Sequence, residues 1–214
     1  MKKILQRNLS FLIPYLLFLL IAGIFLSVYS KAEAHLIINR FSYVSCDYFF
    51  YYTTFLGDGI TAVVLVILLC FVQFRYAVFV ALSNIISSGI TQLLKRTVFA
   101  DVDRPVRFFE GGASLKLVPW AENYINNSFP SGHATVAFTT FFCFALILEN
   151  RALKFLMFLV ALAIGFSRVY LSQHFLDDVY AGSLIGVVIS LLVYYFMQKT
   201  KDISWMDRSI LKYK

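Results

Sequence analysis

Charge is scarce in this chain, and histidine and cysteine are scarcer. Asp, Glu, Lys and Arg make up 14% of its 214 residues, against 60% hydrophobic residues with 23 Phe and 13 Tyr. That balance excludes an ordinary water-soluble domain and reads as a membrane composition. There are three cysteines, Cys46, Cys70 and Cys143, without metal-ligand spacing. Cys70 and Cys143 fall inside apolar runs and read as small apolar residues, so no intrachain disulfide is expected. No linker, repeat or low-complexity tract interrupts the chain, and one domain over residues 1–214 is the economical organisation.

What is present is a series of long apolar runs. A spanning helix needs about 20 mostly apolar residues. Six are read: Leu9 to Tyr29, Thr54 to Phe74, Ala77 to Leu94, Ser131 to Leu148, Leu153 to Tyr170, and Val179 to Met197. The expected fold is therefore an all-α polytopic membrane bundle with six transmembrane helices. Arg75-Tyr76 is read as a tight hairpin between the second and third. Ala32-Glu33-Ala34 imitates a signal-peptide cleavage site, but the run before it is longer than the usual core of about 7–15 residues. With the N-terminus in the cytoplasm, eleven of the nineteen cations and only three of the twelve acids fall inside. The positive-inside rule then places both termini in the cytoplasm. The net charge of +7 is this topological signal and does not point to nucleic acid.

Three segments carry polar chemistry at the ends of these runs. They are Lys95-Arg96 through Arg104-Pro105, then Pro130-Ser131-Gly132-His133, then Ser167-Arg168 with His174 and Asp178. Charge at or inside a membrane helix end is costly, so such a set is a functional-site hypothesis by default. The residue types suit phosphoryl transfer. Lys95, Arg104 and Arg168 can hold phosphate oxygens. His174 and Asp178, four apart, share a helix face if the sixth helix starts there, and the carboxylate can then fix the imidazole tautomer. Ser131 is a good N-cap, Gly132 allows close backbone approach, and the helix N-terminus favours an anion. His133 can act as acid and then base. Each segment alone also has a plainer reading: a helix-capping Asp177 or Asp178, a cap with an incidental His133, and a snorkelling Lys95-Arg96 pair. His35 is read as a surface histidine without a partner. Arg107 and Lys116 lie in a long outer loop, either at a headgroup or solvated. Asn126-Asn127-Ser128 fits a glycosylation acceptor, a pattern common by chance.

Together the segments resemble the signature of the type-2 phosphatidic acid phosphatase superfamily: Lys-x6-Arg-Pro, Pro-Ser-Gly-His, and Ser-Arg-x5-His-x3-Asp. The second and third parts match residue for residue, and the match covers residues 95 to 178. The first departs, since eight residues separate Lys95 from Arg104 and seven separate Arg96 from it. Lys95 is preferred because the family pattern has Lys, with Arg96 as the fallback. The resemblance implies hydrolysis of a lipid phosphate or diphosphate without a metal or other cofactor, through a phosphohistidine on His174. Lys95, Arg104, Ser131, Gly132 and Arg168 would bind phosphate, and His133 and Asp178 would assist. The expected setting is a bacterial inner membrane with a periplasmic site and no obligate protein partner. Lipid A and polyprenyl diphosphate rank ahead of phosphatidylglycerophosphate and phosphatidic acid. Phosphate transfer between lipids, and a non-catalytic headgroup-binding or transport protein, are the rivals.

Overall fold

The computed structural model describes residues 1–41, 43–200 and 203–212. Ten α-helices run through them: α1 (Lys2–Arg7), α2 (Leu9–Val28), α3 (Lys31–Asn39), α4 (Val44–Thr54), α5 (Gly59–Val72), α6 (Phe74–Thr97), α7 (Pro105–Phe108), α8 (Gly132–Ile147), α9 (Arg151–Tyr170) and α10 (Leu176–Met197). Among the described residues there is no β-strand. Helices α2, α6, α9 and α10 are each long and apolar enough to cross a membrane. Helices α4 and α5, bent by 58° at a short break, make a fifth candidate if the pair is one span. Helix α8 has only 16 residues.

Helix α8 forms the centre, packed by α6, α9 and α10. Its Phe138 and Phe142 are fully buried with Phe11 and Tyr15 of α2, and the Phe11 and Phe142 rings stand 4.7 Å apart. The α8–α10 contact is set by glycine. A Cβ on Gly182 would lie 2.6 Å from the Ser131 carbonyl oxygen, and one on Gly186 2.8 Å from that of Thr135. The α6–α8 seam is hydroxylic instead: Thr91 meets Thr135 at 3.0 Å, and Thr139 donates to Ser87 at 2.9 Å. Small and hydroxyl-bearing residues are what close packing between helices in lipid requires, since apolar burial drives nothing there. Outward, Leu16, Leu20 and Ile24 of α2 and Ile60, Val63 and Ile67 of α5 are more than half exposed. These apolar surfaces fit a lipid environment.

Several boundaries differ from the sequence reading. The break between α5 and α6 falls at Gln73, in an extended conformation, and not at Arg75-Tyr76. Arg75 instead lies in the first turn of α6 and bonds Asp207 at 2.7 Å, an anchor that a reversing turn would not offer. The second apolar run does not start a helix at Thr54. A 3-10 turn and Asp58 intervene, and α5 begins at Gly59. Between the first two apolar runs, Lys31–Asn39 form α3 and Val44–Thr54 form α4. Ser30 and Glu33 make a reciprocal capping box on α3, and Phe50 of α4 packs on Tyr170 of α9 at 4.5 Å. Lys201, Asp202 and Lys214 of the charge count lie outside the described residues.

Candidate active site

The last turn of α9, the five residues after it and the first turn of α10 form the floor of the site. The Arg168 carbonyl accepts both the Gln173 and His174 amides, at 3.0 and 3.1 Å, which curls the connection back over α9. His174 thus precedes α10 instead of sharing its face, a correction to the helix-face reading. The pairing is made all the same, because Asp178 in the first turn folds its carboxylate back. Its Oδ2 accepts the Phe175 amide at 2.9 Å and lies 3.1 Å from His174 Nδ1. Capping and pairing with His174 are therefore one arrangement and not alternatives. Both side chains are essentially fully buried.

Three cations lie over this pair. Lys95, in the last turn of α6, is buried, whereas Arg96 points outward and is exposed. Arg104 precedes α7 and donates to the carbonyls of Asn126 at 2.8 Å and Gln173 at 3.2 Å, with its guanidinium over the Tyr124 ring. Arg168 donates through Nη1 to Thr54 Oγ1 at 2.6 Å and leaves Nε buried without a partner among the described residues. The guanidinium of Arg104 is held by neutral carbonyls, and burial draws its pKa down. Burial, joined by the charges of Arg104, Arg168 and Lys95, holds His174 well below the ordinary imidazole range, against an opposing hydrogen bond from its ring to the Ser128 carbonyl. Its imidazole is neutral at pH 7 and keeps one nitrogen lone pair.

Ser131 caps α8, its Oγ accepting the Ala134 amide at 3.4 Å, while its own amide donates to the Asp178 carbonyl at 3.0 Å. That bond ties the second segment to the third. Gly132 faces open space. His133, 28% exposed at its side chain, is the more open of the two motif histidines, with Nε2 3.5 Å from Asp58 Oδ1. The charges of Arg168, Arg104 and Lys95 all reach it. The segments thus converge at one end of the bundle.

Other neighbours were not legible as such. Ser128, two residues before Pro130, is buried and donates to Asp178 Oδ2 at 2.5 Å. Lys31, from α3, lies 3.3 Å from Asp177 and 3.9 Å from Asp178. His35 is not a surface residue. It is 1% exposed, bonds Ser172 at 3.1 Å and sits against the rings of Phe109 and Phe175. Burial pushes its pKa down to about 4, with Asp178 opposing and Lys31 reinforcing. Arg107 is tied to Asp103 and Asn126, and Lys116 to the Arg40 carbonyl. Of these, only Ser128 carried a signal, its adjacency to the second segment.

Residues 73–202 match the PAP2 superfamily. The chain belongs to that family. It is 35% identical over 85 residues to the bacitracin transport permease protein BcrC of Bacillus licheniformis, covering 40% of this chain and 41% of that protein. It is 33% identical over 110 residues to the lipid A 1-phosphatase of Rhizobium johnstonii, covering 51% and 43%. The chain thus matches less than half the length of these curated relatives. The crystal structure of Aquifex aeolicus LpxE superposes with a TM-score of 0.69 at 28% identity, covering 76% of this chain and 93% of that one. The transmembrane PAP2-type phosphatidylglycerolphosphate phosphatase of Bacillus subtilis gives 0.66 at 22% identity, covering 89% and 98%, a likeness of fold. PAP2 membership and the apolar helices make this an integral membrane protein.

Proposed function

We propose that the chain hydrolyses a lipid phosphate or diphosphate through a phosphohistidine on His174. The observation that carries the reading is the buried His174 Nδ1–Asp178 Oδ2 contact of 3.1 Å beneath three cations. Oδ2 also receives the Phe175 amide and the Ser128 hydroxyl, so it acts as acceptor and leaves the proton on Nδ1. The lone pair then resides on Nε2, which attacks phosphorus as the bond to the leaving oxygen breaks. His133 gives that oxygen a proton. It next takes one from water, whose oxygen attacks phosphorus and breaks the P–N bond. Lys95, Arg104 and Arg168 hold the equatorial oxygens in place of a metal, with Ser131 and Gly132 offering the α8 N-terminus.

In this reading residues 1–214 form one membrane domain with six spans, α2, α5, α6, α8, α9 and α10. Both termini are cytoplasmic, and the site opens to the periplasm of a bacterial inner membrane. The charge asymmetry supports that orientation. Similarity to a lipid A 1-phosphatase supports lipid A as the first candidate substrate, with polyprenyl diphosphate beside it. Phosphatidylglycerophosphate and phosphatidic acid follow, then transfer of phosphate to another lipid. No obligate protein partner is invoked. Similarity to a protein named as a transport permease favours one other reading, headgroup binding or transport without hydrolysis. The test is phosphate release by purified protein in detergent from these four lipids, with a strong chelator present. Release from at least one is expected. Retention of lipid without release from any would favour the second reading, and activity that needs added divalent metal would refute the cation mechanism.

A further inference from the structure

At the end of the bundle opposite the three segments lies a polar cavity. It measures about 980 Å³ and is bounded by α1, the start of α6, the end of α8, the start of α9 and the end of α10. Its wall carries Lys3, Arg7, Arg75, Arg151 and Lys154 against one carboxylate, Glu149. Arg75 is neutralised by Asp207. Among the described residues, Lys3, Arg7, Arg151 and Lys154 have no ion-pair partner within 4.0 Å.

Lys154 is the informative member. It is 4% exposed, and its ammonium donates to the Arg7 carbonyl at 2.8 Å and to Asn8 Oδ1 at 2.7 Å. Both partners are neutral, and an ammonium has three donors. Of the charges near it, Arg7 repels it and Glu149, beyond ion-pair range, attracts it. A nearly buried cation with so little compensation is costly, and an anion from outside the chain would supply the balance. The cations also come from separate elements, α1 and α9, and converge on one space. An ordinary excess of cytoplasmic charge spread over loops has no need of that convergence. The wall also carries the apolar Phe79, Ile147 and Met197. Cations and apolar side chains around one space fit an anion joined to hydrocarbon.

We infer that this cavity is a second anion site, distinct from the His174 site, that takes a phosphate-bearing group. Arg7 and Arg151 supply the planar two-point donors that suit phosphate oxygens, and Lys154 supplies the buried point charge. The group has two possible sources, the headgroup of an anionic phospholipid or a soluble phosphate. The site does not depend on hydrolysis at the other end.

The experiment is native mass spectrometry of the full chain in detergent, titrated with phosphatidylglycerol, with phosphatidylcholine of the same acyl chains, and with inorganic pyrophosphate. The variants are Arg7→Gln/Arg151→Gln together, Lys154→Met, and Lys95→Ala as a control at the opposite end. Selective binding of phosphatidylglycerol, weakened at least fivefold in Arg7→Gln/Arg151→Gln and unchanged in Lys95→Ala, upholds the site with a lipid occupant. Pyrophosphate binding that is lost in Arg7→Gln/Arg151→Gln and persists in part in Lys95→Ala upholds it with a soluble one. The double variant changes exposed side chains only, so it tests the site even if Lys154→Met fails to fold. The proposal is overturned if neither anion binds in preference to phosphatidylcholine. It is equally overturned if the double variant binds as the parent does, or if Lys95→Ala abolishes binding.

Discussion

Ser128 Oγ donates to Asp178 Oδ2 at 2.5 Å, and that same oxygen faces His174 Nδ1. A short bond to a carboxylate is among the stronger hydrogen bonds a protein makes. Losing it frees the carboxylate to turn and weakens its hold on the imidazole. Ser128→Ala is expected to lower turnover by about 1.5–3 kcal/mol, roughly 10- to 150-fold, with substrate binding little changed. Steady-state kinetics on a lipid phosphate check this. A change confined to KM would assign Ser128 to substrate binding.

Lys31 faces two carboxylates from a helix far away in the sequence. It is nearer to Asp177, but its charge also reaches Asp178, whose Oδ1 is buried and has no hydrogen-bond partner among the described residues. Lys31→Met is expected to cost turnover about tenfold, and Lys31→Arg to restore most of it, because charge is the property at work. Asp177→Asn is expected to be nearly neutral, since Asp177 touches Lys31 but not His174. Equal losses for Asp177→Asn and Asp178→Asn would show that the carboxylate pair acts as a unit.

The two motif histidines are expected to separate in a labelling experiment. If His174 is the nucleophile proposed above, His174→Ala removes both turnover and covalent phosphate, because the attacking nitrogen is gone. His133→Ala slows turnover and lets a phosphoenzyme accumulate, because the water that cleaves it has lost its base. Acid quenching after incubation with a radiolabelled lipid phosphate distinguishes them. The reverse pattern would exchange their roles.

Lys95 is buried in the site while its neighbour Arg96 is exposed. Lys95→Ala is expected to lower kcat/KM by about 2.7–4 kcal/mol, the scale for removing one transition-state charge contact. Arg96→Ala is expected to change it less than about threefold. If Arg96→Ala is the worse, the register of the first segment is off by one.

His35 gives the fold an acid limit. Its pKa is about 4 in the folded chain against an ordinary 6.5. The unfolded chain therefore takes a proton as pH falls below 6.5, and the folded one does not until about 4. The associated stability is complete above 6.5 and is lost through that window, on the order of 3 kcal/mol in all. His174 acts in the same direction. Thermal unfolding in detergent from pH 7.5 down to 4.5 is expected to be steeper for the parent than for His35→Gln. Parallel curves would mean that His35 does not titrate in this range.

The long apolar helices and the polar segments were legible because each is local. Twenty apolar residues in a row need no knowledge of their neighbours, and neither does Pro130-Ser131-Gly132-His133 at the head of one. The neighbours of Asp178 were not, apart from those within four residues. Lys31 is 147 residues away in the chain, and only the docking of α3 beside α10 brings it close. His35 misled for the same reason, since its burial comes from Phe109, Ser172 and Phe175. The kink before Gly59 was hidden too. Apolar content runs across it, and periodicity does not register a 58° bend at one extended residue.

Helix α8 is about 24 Å long, while α6 and α10 beside it run about 36 and 33 Å. A short strut among longer ones leaves room beyond its far end, where Ile147 lines the cationic chamber, while His133 sits at its near end. The chamber is thus the outcome of a missing length of about two turns. A turn of helix inserted near Phe144 would lengthen the strut from its far end and fill the chamber. Gly182 and Gly186 would keep the upper half of α8 seated, with His133 and His174 still in register.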